Sequence, residues 1–145
     1  LTSTEAWRVH TGTPNFKPVV KLDASSDHWP VETADYEHVP IRSLFNANMI
    51  HISPWFVTEG LFRGAGRILP AGAKVFLYGP YKIDGRHTSD SNKEFEAWLK
   101  AKDESFAVRD IADVTAEALK NGLRHLQSIQ MPANNFIQVF EKTAE

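Results

Sequence analysis

Residues 43 to 78 constrain this chain more than any other stretch. Leu44, Phe45, Met49 and Ile50 make a buried strand over Ser43 to His51. Ser53-Pro54 then signals a helix start, because a serine N-cap satisfies an orphan N–H and proline at the first helical position gives up no needed donor. The helix runs to about Leu69, with Val57, Leu61, Ala65, Ile68 and Leu69 on one side, and Pro70-Ala-Gly72 stops it. Lys74-Val-Phe-Leu-Tyr78 is the next strand, ending in Gly79-Pro80-Tyr81. Strand, helix and strand in this order form a βαβ unit, which implies parallel strands joined by a right-handed crossover.

The flanking segments extend this unit. Thr4 to His10 is a short helix closed by Gly12 and stopped by Pro14. Val19 to Leu22 is a short strand followed by Asp23, and the polar, proline-punctuated run from Asp23 to Pro40 is a loop with Trp29 and Tyr36 as anchors. Beyond the βαβ unit, Tyr81 to Asp90 is a polar loop. Ser91-Asn-Lys-Glu94 reads as a capping box before a stripe of Phe95, Trp98 and Leu99. Asp110 caps a further helix with Ile111, Val114, Ala118 and Leu119 inward, ended by Asn121-Gly122. Leu123–Met131 and Asn135–Glu141 are strands joined only by Pro132-Ala133-Asn134, too short for a parallel crossover, so they form a hairpin. The expected fold is α/β, one domain over residues 1–145, with a mainly parallel sheet ending in an antiparallel hairpin.

Composition narrows the chemistry. With no cysteine, thiol catalysis, Fe–S clusters and Cys-type zinc sites are excluded. Sixteen basic against 18 acidic residues leave a net charge of −2, which gives no footprint for nucleic acid or for a membrane surface. No apolar stretch approaches the length of a membrane span, and no N-x-S/T sequon occurs, which points to the cytoplasm, with the nucleus also open. The chain opens at Leu1 rather than Met, as though material precedes it.

In open α/β sheets, ligands bind beyond the carboxyl ends of the parallel strands. Four polar clusters follow strand ends here: Asp23, Asn48 to His51, Gly79 to Tyr81, and Met131 to Asn135. They are expected to share one crevice.

The same residues carry a resemblance. "LDAS", "HWP", "NMIHISPW", "GLFRGAGRIL", "YGPY", "VRD" and "MPANN", in this order, resemble the methyltransferase-like 26 family, Rossmann-fold proteins related to S-adenosylmethionine-dependent methyltransferases. The resemblance implies a class I methyltransferase fold, S-adenosylmethionine as cofactor, and a chain that lacks the family's N-terminal strands and glycine-rich cofactor turn. It further implies an unpaired apolar edge that needs a partner, either the missing N-terminal segment or a second copy. Gly60, Gly64 and Gly66 do not replace that turn; inside a helix they serve close packing against the sheet.

Individual residues keep two readings each. By the resemblance, Asp23 and Ala24 hold the adenine, while Asn48, Met49 and Ile50 pass beneath the cofactor; Asp23 alone could cap a turn, and Asn48 could satisfy loop backbone. His51 is a possible base toward the methyl acceptor or a structural histidine. Tyr81 stands beside it as a catalytic candidate, and tyrosine faces suit a sulfonium. Tyr78, Asn92, Arg109, Asn134 and Asn135 are candidates for the acceptor pocket, against core for Tyr78 and turn chemistry for the two asparagines. Asp84, His87 and Asp90 have ligand-like types, but they read as a solvated loop and no metal is expected. Two functions remain: methyl transfer to an unidentified N, O or S acceptor, or a non-catalytic interaction domain that retains the fold.

Overall fold

The structure, a computed structural model, describes residues 1–34 and 40–144. Tyr36 lies outside them. Its elements are α1 (Thr2–Thr11), a 3-10 turn (Pro30–Glu32), β1 (Ser43–Ala47), α2 (Trp55–Ile68), β2 (Lys74–Gly79), β3 (Tyr81–Ile83), β4 (Arg86–His87), α3 (Asp90–Lys102), β5 (Arg109–Asp110), α4 (Ile111–Lys120), β6 (Leu123–Met131) and β7 (Asn135–Lys142).

The βαβ unit is present. β1 and β2 pair in parallel, Phe45 opposite Phe76, with α2 as the crossover. The terminal hairpin is present too, but it changes the character of the sheet. β7 inserts between β2 and β6, giving the order β1-β2-β7-β6 with antiparallel β2–β7 and β6–β7 ladders. The sheet is therefore mixed, and the expectation of a mainly parallel one is corrected. A hairpin strand that returns to pair with a parallel strand must run against it.

Other boundaries shift for local reasons. Val19 to Leu22 is not a strand: among the described residues it finds no ladder partner, and Val20 and Leu22 stay partly exposed. Ser53 does not cap α2; its hydroxyl donates to the carbonyl of Met49 at 2.9 Å, and Pro54 takes the cap position. The cap of α3 is Ser89, which accepts from the N–H of Asn92 at 3.1 Å, two residues before the expected box. In its stripe only Leu99 is fully buried, and Trp98 is 55% exposed. Asp110 does cap α4, accepting from the N–H of Ala112, but Leu119 faces solvent while Val114 and Ala118 face the core. The run after Tyr81 is not a plain loop. Asp84 and Gly85, both at positive φ, turn β3 back onto β4, and β3 also pairs in parallel with β5 in a small second sheet.

The core sits on one face of the four-stranded sheet. Val75, Leu77, Phe140 and Leu123 meet Leu61, Phe62 and Ala65 of α2 and Val114 and Ala118 of α4. The α2 glycines allow this, though their neighbour is not the sheet. A Cβ on Gly60 would meet the backbone of Ala24 and Ser25, one on Gly64 the ring of Trp29, and one on Gly66 the carbonyl of Asn121. Trp29, buried as expected of an anchor, thus lies across α2. The opposite sheet face is an apolar row pair, Phe45–Phe76–Val139 and Ala47–Tyr78–Ile137–Ile129 by register, with Phe45 65% exposed.

Gly60→Ala tests the helix-to-loop contact. Its Cβ would lie 2.5 Å from the Ser25 Cα and 2.6 Å from the Ala24 oxygen, and backbone cannot rotate away. Overpacking of this kind costs about 1–3 kcal/mol, expected as a lower urea midpoint with the slope unchanged.

Candidate functional site

A cleft of about 570 Å³ opens beyond the carboxyl ends of β1 and β2. Four segments build it: Asn48, His51 and Ile52 after β1, Pro80 after β2, Ser91, Asn92 and Phe95 from the start of α3, and Ala133 and Asn135 from the β6–β7 turn. Three of the four expected polar clusters therefore meet.

The loop after β1 is held at many points. Asn48 takes a left-handed conformation, φ 53°, which asparagine tolerates better than most residues, and its N–H donates to the carbonyl of Tyr78 at 3.0 Å. Arg109 donates from Nε to the carbonyl of Ile50 at 3.0 Å, and from one terminal nitrogen to those of Ser53 at 2.7 Å and Ser105 at 2.9 Å. Its guanidinium lies over the ring of Trp55, 5.5 Å from the centroid. The carbonyl of His51 accepts from the N–H of Ala107 at 3.2 Å.

The opposite wall is tied just as closely. Asn92 Nδ2 donates to Thr88 Oγ1 at 3.1 Å and to the carbonyl of Asn134 at 3.0 Å. Asn134 Nδ2 returns a bond to Ser91 Oγ at 3.2 Å. The hairpin tip is thereby fixed to the first turn of α3. Ala133 and Asn134 both sit at φ near +57°, so the tip is shaped by its turn as well.

His51 occupies the junction. It is only 3% exposed, its ring meets Phe95 edge-on with centroids 5.6 Å apart, and its Nδ1 is buried without a hydrogen bond among the described residues. A Cβ on Gly79 would come within 3.2 Å of the imidazole, so glycine there leaves the ring its place. Burial first, and the Arg109 charge second, push its pKa down to about 4. At neutral pH the ring is uncharged and a weak base.

The remaining candidates lie elsewhere. Tyr81 is fully buried in the core, its hydroxyl toward the carbonyl of Leu77 at 3.4 Å, and burial raises its pKa; it does not reach the cleft. Tyr78 is half-buried on the opposite face of the sheet from the core. Ile50 packs into the core and Met49 against it, with Asn46 Nδ2 toward the sulfur of Met49 at 3.4 Å. Asp23 does not line the cleft: its carboxylate accepts from the N–H and hydroxyl of Ser25, which hold its pKa below the usual range, while Ala24 is buried under Gly60. Arg109 lines a larger depression of about 860 Å³ with Trp55, Lys82, Asp84, Asp110 and Asp113. Among its charged groups Asp110 accepts from the N–H groups of Gly85 and Ala112, Arg109 donates to three carbonyls, Lys82 pairs with Glu96 and Lys120 with Glu117. His87 gives its Nε2 to Glu96 at 2.8 Å, and no metal-type cluster occurs among the described residues. Nor, among them, is any helix long and apolar enough to cross a membrane.

Ile52, Ser91 and Phe95 were not expected at the site. Phe95 had a signal, an aromatic one turn inside a helix that starts near a strand end. Ile52 and Ser91 had only their positions.

Solved structures define the class of fold. An O-methyltransferase family 2 protein from Planctomyces limnophilus, crystallised with apigenin, matches 73% of this chain at 13% identity and a TM-score of 0.66. LaPhzM matches 97% at 12% identity and a TM-score of 0.73. CalO1, a methyltransferase in calicheamicin biosynthesis seen in its SAH-bound form, matches 71% at 16% identity and a TM-score of 0.59. The fold is that of a methyltransferase-like α/β domain, and the chain spans only 31%, 39% and 30% of the length of these three proteins. A family model described as "Protein of unknown function (DUF938)" matches residues 1–142, and the chain belongs to that family.

The lowered pKa of His51 makes stability depend on pH. The unfolded chain takes up the proton near 6.5 and the folded one only near 4, so full stability holds above 6.5 and is lost as pH falls toward 4. The loss approaches about 3 kcal/mol. Urea midpoints between pH 7 and pH 5 should fall, and His51→Phe, which cannot titrate, should flatten that part of the profile.

Proposed function

We propose that this chain is the C-terminal portion of a Rossmann-like, class I methyltransferase domain of the methyltransferase-like 26 type, which transfers a methyl group to an acceptor seated in the cleft. The observation that supports this most is the cleft's place, beyond the ends of a parallel strand pair in a methyltransferase-like fold, with a neutral His51 at its floor. S-adenosylmethionine, when bound, supplies a methyl that is already activated. The residues of this chain then have mainly to hold and orient the acceptor, which alone accounts for large rate gains.

The fit to that cofactor is partial. Asn48, which lines the cleft and has no side-chain hydrogen bond among the described residues, would face it, and the exposed carboxylate of Asp23, outside the cleft and turned onto Ser25, would have to reach its adenine end; Met49 and Ile50 support the loop from the core side. These residues supply one wall and do not enclose a ligand. His51 is a poor base at neutral pH, so its role in this reading is to orient the acceptor by a hydrogen bond from an uncharged ring. The free edge of β1 and the apolar face around Phe45 would be covered by the rest of the domain, or by a second copy where that is absent.

Two measurements check this. Calorimetric titration with S-adenosylhomocysteine should give heat at micromolar ligand. Asp23→Ala should weaken binding by roughly tenfold or more, the worth of a hydrogen bond to a charged group, and Asp23→Asn, which keeps a turn-capping oxygen, by less. A flat trace from folded protein would favour the interaction-domain reading. Sedimentation of the 145-residue chain should show self-association that rises with concentration and drops about tenfold with Phe45→Glu.

A further inference from the structure

Two properties of the cleft wall bear on what it accepts. Nearly a quarter of the chain's residues are charged, yet none of the residues lining the cleft is Asp, Glu, Lys or Arg, and its one imidazole is neutral. An ionic ligand would lose its hydration there with no opposite charge to meet it. The second property is the direction of the amides. Asn92 Nδ2 donates to the backbone carbonyl of Asn134, which can only accept, so the orientation of that amide is fixed. Asn135 Nδ2 likewise points at the carbonyls of Pro132 and Ala133, at 3.4 and 3.3 Å. Both amides therefore spend their donors inside the protein and leave Oδ1 unengaged among the described residues.

Shape adds a third constraint. Phe95 stacks on Trp98 with an interplanar angle of 16° and centroids 5.9 Å apart, so the ring that lines the cleft is backed and cannot easily swing aside. It offers a flat apolar surface beside two oxygens that want donors. Resting on the reading that this cleft is the acceptor site, we infer that it takes an uncharged, flat molecule carrying O–H or N–H donors, a phenol or an arylamine, and rejects carboxylates and phosphate esters. A molecule of that class puts its ring on Phe95 and its donor on Asn92 or Asn135. The donor atom is then also the nucleophile that would be methylated.

Three single-ring probes separate the terms: phenol has a ring and a donor, anisole a ring without a donor, and benzoate a ring with a charge. Titrated into the protein and followed by the side-chain amide resonances of Asn92 and Asn135 and the ring resonances of Phe95, phenol should give saturable shifts at millimolar concentration. Anisole and benzoate should bind at least about tenfold more weakly, one for the amide oxygen left unpaired and the other for its uncompensated charge. Benzoate equal to phenol, anisole equal to phenol, or no phenol shift at these residues would each overturn the inference. The series is run with and without S-adenosylhomocysteine. If the ranking holds while S-adenosylhomocysteine does not bind, methyl transfer falls and the cleft's preference stands; if it binds and the ranking is flat, the preference alone is lost.

Discussion

The side chain of Arg109 bonds three backbone carbonyls that belong to two different segments. Ile50 and Ser53 lie in the loop after β1, and Ser105 lies in the connection from α3 to β5. A loop of seven residues between strand and helix has carbonyls that no ladder satisfies, and an unsatisfied buried carbonyl costs about 1–3 kcal/mol. One planar guanidinium satisfies two of them, takes in that of Ser105 as well, and fixes their relative positions. The desolvation of that charge lowers the pKa of Arg109 itself, and its field keeps the proton off His51. The clamp that shapes the loop thus also helps set the chemistry of the residue at its centre.

A second constraint comes from the order of strands. Because β7 lies between β2 and β6, the hairpin tip emerges at the same end of the sheet as the loop after β1, although some eighty residues separate them in sequence. Asn92 and Asn134 then lock that tip to α3 through reciprocal bonds. Each wall of the cleft is therefore built from elements that are individually capped or paired, and little backbone entropy remains to be lost when a ligand enters.

Parts of this were readable from the chain alone. The βαβ unit and the terminal hairpin followed from apolar runs and from a connection too short to cross over, and both signals are local. Asn48, His51 and Asn135 could be assigned to one site because the topology rule converts strand ends into neighbours, whereas Asn92 starts a helix and follows no strand. Tyr81 could not be separated from them: its position after β2 is right, but the small β3–β5 sheet, made of pairs too short to show a period, turns the ring inward. Val19 to Leu22 has a strand's composition, yet composition does not supply a partner ladder. Arg109 was a candidate for the acceptor pocket, whereas its fork of donors is spent on backbone carbonyls far away in sequence, which its own neighbours in the chain do not reveal.

The neutral state of His51 bears on both functional readings. A histidine with a pKa near 4 is about a thousand times too weak a base to match neutral pH as a general base would, so burial of this kind argues against a proton shuttle. It does not argue against a site. Burying an imidazole whose Nδ1 has no partner among the described residues costs stability that a simple apolar ring beside Phe95 would not. That nitrogen lies against Gly79 without access to solvent, so only the rest of the ring is left to meet a ligand. In the methyl-transfer reading the ring then selects and orients an acceptor whose own acidity, not the protein's basicity, governs the loss of its proton; in the interaction reading the same ring would meet a polar group of a partner.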